Sequence, residues 1–280
     1  MLHDLVGIGM RPPHYEKLTS EQANIGWLEV HSENHFEINS EATYYLDKAC
    51  ERYPLSLHGV GLSLASNELI DKVHIDNIKK LITRYHPFRV SEHLSWSSIA
   101  GQHYSELLPV LYTEQSLQHV IRRIDQVQQI LGQEILIQNP ACYTENKHNS
   151  LTEAEFLIAL QAETNCKILL DINNVHISST HIGYDPSNYL DKIPASIVGE
   201  IHLSGCRKKL MNNKQILTEN HGHQITPEVW QLFGEYLQQS NTIPTLIEWD
   251  TNIPQLGDLL REAQKARQMI LKAKKFKQAS

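Results

Sequence analysis

Six times along this chain a short apolar run ends abruptly in groups that bind protons or metals: LSLHG up to Gly59, RVSEH up to His93, ILIQNP up to Pro140, LLDINN from Leu169, VGEIHLSG up to Gly205 and TLIEWD up to Asp250. Apolar runs this short, bounded by polar residues, mark strands buried on both faces, as in a parallel sheet covered by helices. In such sheets the C-terminal strand ends face the site. The sharpest case is Leu169–Ser178, LLDINNVHIS, where the run gives way to Asp171, Asn173, Asn174 and His176. A fold that buries these runs must deliver several ligand-type side chains to one end of one sheet.

Between the runs the apolar spacing turns helical. Strands are expected at Leu5–Met10, Ile25–His31, Leu55–His58, Arg89–Leu94, Ile135–Asn139, Lys167–Ile172, Val198–Leu203 and Thr245–Trp249. Helices are expected near His14–Gln22 and over Glu41–Arg52, Asn67–Tyr85, Thr113–Leu131, Thr152–Glu163, Pro186–Leu190, Thr226–Gln239 and Pro254–Lys274, with Thr113 and Thr226 placed to cap. Ser95–Tyr112 and the KKLMNNKQ stretch read as loops. Eight strand–helix alternations in about 250 residues fit a (β/α)8 TIM barrel. No Pro/Gly/Ser-rich linker divides the chain, so one domain is expected over residues 1–280, closed by a basic helix at 254–275. A doubly wound open sheet competes, but it would carry a Gly-rich phosphate loop after its first strand, and GIGM lacks the remaining glycines.

Composition narrows the function. The chain has 280 residues, 41% hydrophobic and 20% charged, with a formal net charge of −7. That balance argues against nucleic-acid binding, which needs clustered Lys and Arg. The basic segment Lys265–Lys277 reads more simply as the solvated face of a last helix. No apolar stretch approaches the roughly 18 residues a membrane span requires. Cys50, Cys142, Cys166 and Cys206 are far apart without a CxxC, and MLHDLVGIGM has no secretory pattern, so a reducing cytoplasm is expected. The four cysteines read as buried and apolar-like, Cys206 alone lying near the expected pocket.

Strand parity sharpens the site. Side chains alternate faces along a strand, so Glu248 and Asp250 share a face, as do Ser56 and His58, Ser91 and His93, Leu136 and Gln138, Asp171 and Asn173, and Glu200 and His202. If the apolar set packs on the helices, the polar set points into the barrel. A lone histidine is more often a satisfied core residue than a ligand, but several at strand ends reinforce one another. Burying that many imidazoles and acids without partners costs several kcal/mol each, on the order of the desolvation penalty of a charge. A bound cation is the simplest common partner. Imidazole with carboxylate suits zinc or non-haem iron, and the lack of thiolates disfavours a closed structural zinc site.

Taken together, GIGMR, EVHSENH, LSLHGVGLSL, SEHLSW, the NP of ILIQNP, LLDINNVHIS, IHLSG, the VW of PEVW and LIEWD resemble the domain of unknown function 692 family (UPF0276), described as multinuclear non-haem iron-dependent oxidative enzymes. The similarity runs in order from Gly7 to about Pro254. It implies a xylose-isomerase-like barrel holding two or three irons, and dioxygen-dependent modification of cysteine or other residues in a ribosomally made precursor peptide. It also implies a small partner protein that presents the peptide. The family's ligand positions fall on His58, His93, Asp171, His202, His223 and Glu248. Two positions depart from its pattern: Gln138 stands where a bridging Glu is usual, and His221 where an Asp is usual. Both remove negative charge, which favours two irons over three. Zinc or manganese is the alternative metal.

The other polar groups have plainer readings beside the functional ones. Asp171 and Glu248 can also cap loops. Asn173 and His176 are additional ligands or turn stabilisers. Glu33, Asn34 and His35 either orient imidazoles, bind substrate, or form a polar loop. Glu29, Glu200 and Asp250 read as groups behind the ligands or in the barrel layers, and Trp96 and Trp249 as packing. The competing functions are a zinc-, manganese- or magnesium-dependent hydrolase or isomerase on the same barrel, and a barrel that binds metal without chemistry, which Gln138 keeps open.

Overall fold

A computed structural model describes residues 4–99, 102–211, 214–240 and 242–279. Twelve strands occur in chain order among them: β1 Val6–Gly9, β2 Trp27–His31, β3 Leu55–Gly59, β4 Arg89–His93, β5 Trp96–Ile99, β6 Gln102–Leu108, β7 Leu136–Gln138, β8 Lys167–Asp171, β9 Val198–Leu203, β10 Cys206–Met211, β11 Lys214–Glu219 and β12 Thr245–Ile247. Eight of them close a barrel in the order β1-β12-β9-β8-β7-β4-β3-β2, in which β1–β12, β1–β2, β12–β9, β3–β4, β4–β7 and β7–β8 pair in parallel. These are the eight strands expected from the apolar runs. The barrel strands are almost entirely buried, as parallel strands covered by helices must be.

The chain groups into two compact units. The first comprises Met1–Glu29, Ala141–Thr144 and Leu170–Ser280. Its core includes Ile8, Ile201, Leu246, Val229, Phe233 and Ile270, all at most 3% exposed. Gly7 in β1 pairs with Trp27 in β2, and a Cβ on Gly7 would lie 2.3 Å from the indole, so only glycine lets that ring pack flat on the strand. The second comprises Val30–Pro140 and Glu145–Leu169, with Leu57, Ile124, Val127, Ile137, Phe156 and Ile168 fully buried.

Helices begin where capping chemistry begins. Thr113, Thr152 and Thr226 each accept a bond from the backbone N–H three residues on, and Thr152 forms a full capping box with Glu155. The helix expected from Asn67 starts instead at Lys72, because Asp71 is the residue whose carboxylate caps Val73 and His74.

Three segments differ from expectation. Ser95–Tyr112 holds the antiparallel hairpin β5–β6, and the KKLMNNKQ stretch lies in a second hairpin, β10–β11; Asn212 and Asn213 are outside the described residues, as are Met1–His3. Between β8 and the helix expected at Pro186–Leu190 a further helix, Ile172–Ile182, begins at once, with Asp171 as its cap accepting from Asn174 N at 2.8 Å. No helix of the described chain is long and apolar enough to cross a membrane.

Candidate metal centre

In the first unit, β8 ends in Asp171, β9 carries Glu200 and His202, and Glu248 directly follows β12. Asp171, Glu200 and His202 are fully buried and Glu248 is 2% exposed. His221 sits in a turn with left-handed backbone (φ 41°), held because its carbonyl accepts from the N–H groups of Asp250 and Thr251. One ligand-type atom each from Asp171, His221 and Glu248 falls within 4.8 Å of the others, and so does one each from Glu29, His202 and Glu248. Glu248 belongs to both groupings.

Charge explains the contacts around them. Arg11, two residues after β1, is 5% exposed and binds Asp250 through Nε at 2.8 Å and Nη2 at 2.5 Å. The other Asp250 oxygen lies 3.2 Å from His221 Nδ1. Asn173 is fully buried, and neither of its side-chain polar atoms has a hydrogen-bond partner among the described residues; the same holds for Ser204 Oγ. Buried amides are almost always paired, so an unpaired one marks a place for a ligand, an ion or water.

Asp171, Glu200, His202 and His221 shift toward holding protons. Burial raises the Asp171 carboxyl to about 7, with Glu248 adding and His221 opposing. Burial and the neighbouring Glu29 push Glu200 to about 8. Burial alone would lower His202, but the charges of Glu29 and Glu248 outweigh it and hold the imidazole well above its usual range. His221 behaves alike: burial lowers it, and Glu248, Asp250 and Glu219 more than compensate. Acids crowded in a dry site draw in positive charge, and protons and metal ions are the available forms.

The second unit brings together His58, His93 and Gln138. His58 and Gln138 are fully buried and His93 is 5% exposed. The rings of His58 and His93 lie 4.6 Å apart, and His93 and Gln138 are register partners on β4 and β7. Ser91 Oγ donates to Leu57 O and so accepts from His58 Nδ1 at 2.7 Å. His93 Nδ1 faces Gly59 O at 3.1 Å, and a carbonyl only accepts. Both imidazoles therefore carry their proton on Nδ1 and offer Nε2, the arrangement of ligating histidines held by a hydrogen bond behind them.

Other expected residues fall elsewhere. His223 is exposed, and the neighbour that joins the buried group is His221. His176 is half-buried on the helix Ile172–Ile182, and burial lowers its pKa. Asn34 is exposed. Glu33 accepts from the N–H groups of Val60 and Gly61, both at 3.0 Å, and groups with His74 and Glu92. Cys206 packs with Ile177 and Leu217 as a core residue, and all four cysteines are free thiols. Arg11 and Glu219 went unnoticed in the sequence; a charge directly after the first apolar run was the available signal for Arg11.

By fold and site this is a (β/α)8 barrel whose strand ends gather histidines and carboxylates into groups that can hold a metal ion. Residues 5–271 match the model of the RiPP precursor modification enzyme family MbnB/TglH/ChrH, and the chain belongs to that family. It is 42% identical over 268 residues to a UPF0276 protein of Vibrio parahaemolyticus, covering 96% of this chain and 93% of that one. It is 42% identical over 262 residues to a UPF0276 protein of Psychromonas ingrahamii, covering 93% and 92%. Among solved structures it resembles a xylose isomerase-like TIM barrel protein from Mycobacterium smegmatis in complex with magnesium, with a TM-score of 0.63, 10% identity and 97% and 99% of the two chains covered. A D-psicose 3-epimerase gives a TM-score of 0.59 at 15% identity, with 97% of each chain covered. At these identities the likeness establishes the fold.

Proposed function

We propose that this chain is a non-haem iron oxidative enzyme that uses dioxygen to modify a residue, cysteine in the first instance, of a ribosomally made precursor peptide. The observation that carries the reading is the buried convergence of Asp171, His221 and Glu248, with His202 sharing Glu248, in a chain of the RiPP precursor modification family. The donors fit iron: neutral imidazole nitrogens and carboxylate oxygens, no thiolate, and the unpaired amide of Asn173 close in sequence to Asp171. Asp171, His202, His221 and Glu248 would hold one iron; His58, His93 and Gln138 would hold a second. Bound iron supplies the one-electron and oxygen chemistry that protein side chains lack.

The chain's own groups do the rest. Ser91 and the Gly59 carbonyl fix the tautomers of His58 and His93. Arg11 holds Asp250 against His221. Near-complete burial of these side chains excludes water, which strengthens every charge interaction among them. A cysteine-containing peptide, presented by a small partner protein, is the proposed substrate, and the compartment is the cytoplasm.

Anaerobically purified protein should carry about two irons per chain by elemental analysis. His58→Ala and Glu248→Ala should each lose most of the metal at their own group. Full metal retention in both variants overturns the assignment. Oxygen uptake with a cysteine-containing peptide separates this reading from a metal-dependent hydrolase or isomerase, which consumes none.

A further inference from the structure

We infer that Glu200, backed by Glu29, is a positioning residue that makes His202 offer Nδ1, and not Nε2, to a metal. The inference rests on the reading of His202 as a metal ligand and deepens it. His202 Nε2 lies 3.1 Å from Glu200 Oε1 and 3.4 Å from Glu29 Oε1, while Nδ1 lies 3.3 Å from Glu248 Oε2. All of Glu29, Glu200 and His202 are fully buried, so no water competes for these contacts from bulk solvent.

An imidazole carrying one proton places it where an acceptor waits, and its lone pair falls on the other nitrogen. For His58 and His93 the acceptors sit at Nδ1, namely Ser91 Oγ and the Gly59 carbonyl, so Nε2 is the ligating nitrogen. At His202 the order is reversed. Two carboxylates converge on Nε2, and Glu248, itself a proposed ligand, stands on the Nδ1 side. The reversal follows from chain spacing. Glu200 lies two residues before His202 on the same strand and face, and Glu29 ends the first unit's part of β2.

Zinc-loaded, 15N-histidine-labelled protein reads this directly by NMR, with His202→Gln identifying the signals. His202 should keep its proton on Nε2 while Nδ1 takes the shift of a metal-bound nitrogen. His58 and His93 should show the opposite pattern. Zinc on Nε2 of His202 overturns this inference alone, whereas two unperturbed nitrogens show that His202 is no ligand and overturn the reading beneath it as well. As a second measurement, Glu200→Leu should weaken cobalt(II) binding about 10- to 100-fold, the usual effect of deleting a ligand's hydrogen-bond partner. Glu200→Gln, which keeps an acceptor oxygen, should recover most of that loss. A merely structural role would lower the melting temperature of Glu200→Leu without changing its cobalt absorption spectrum, and that outcome counts against the inference.

Discussion

Replacing Arg11 by leucine tests whether charge pairing, and not apolar packing alone, holds the end of β1 to the metal-type groups. The guanidinium donates from Nε and Nη2 to Asp250 Oδ1 and from Nη1 to the carbonyls of Met10 and Glu29, at 3.2 and 3.3 Å. Leucine preserves much of the buried stem and removes every donor. Stranding one partner of a buried ion pair costs roughly 3–5 kcal/mol. Asp250 retains 18% exposure and has His221 as a second partner, so water and the imidazole absorb part of the loss and about 3 kcal/mol is expected. Urea unfolding of the metal-free protein, followed by circular dichroism and tryptophan fluorescence, measures it without interference from metal affinity. Asp250→Asn alone should also destabilise, and the double variant should lose at least about 1 kcal/mol less than the sum of the singles, as contacting partners do. A loss below about 1 kcal/mol for Arg11→Leu, or strict additivity of the two, refutes the reasoning.

Metal-free protein should lose stability as pH rises. Asp171 titrates at about 7 and Glu200 at about 8 in the folded chain, against 3.8 and 4.5 for the unburied groups. Between those values the folded state holds protons the unfolded chain has released, so the urea midpoint should fall from about pH 4 to about pH 8, and raised His202 and His221 extend the fall to higher pH. Asp171→Asn should flatten the first part of that fall, and a midpoint independent of pH would sink the assignment. Gly205→Ala places a Cβ within 2.2 Å of the His223 carbonyl, and it should weaken metal retention without touching a ligand, by shifting the segment that carries His221; wild-type metal content would show that the segment yields freely. Thr152→Ala breaks the capping box of the helix Glu153–Thr164 and should cost about 1 kcal/mol in urea unfolding with no change in metal content.

The barrel was legible because burial on both faces leaves apolar runs of strand length, six of them with ligand-type residues at the C-terminal end. The hairpins were not. A two-stranded ribbon outside the barrel needs no continuous apolar face, so CRKKLM paired with KQILTE carries none of the signal of a core strand. The helix Ile172–Ile182 was missed for the opposite reason. Asn, β-branched residues and Ser make INNVHISSTHI a weak helix former, and it is the Asp171 cap and nearly complete burial of its first turns that impose the conformation. That helix also ends the strand parity argument at Asp171: Asn173 lies on a helical turn, not one strand repeat further on. Both His221 and His223 are expected at the site, and the different burial of the two has a similar cause. Two histidines either side of a glycine look alike in sequence, and only the left-handed turn at His221, pinned by the backbone of Asp250 and Thr251, decides which one enters.

Gln138 and His221 stand where the family resemblance leads one to expect an anionic ligand, and their surroundings differ. Around His221 the first unit still gathers Asp171, Glu219, Glu248 and Asp250, with Arg11 paired to Asp250, so acid remains to hold a divalent ion even with a neutral imidazole there. The second unit's set of His58, His93 and Gln138 carries no formal charge. A cation bound there meets three neutral donors, so that group should be the first stripped by a chelator. Gln138→Glu restores a carboxylate at a fully buried position beside His93 in register, and it should raise metal content and slow chelator loss at that group while leaving the Glu248 group unchanged. If metal content and oxygen consumption both stay where they were, the neutral side chain is not what limits this set, and a barrel that binds metal without oxidising anything becomes the better account of the chain.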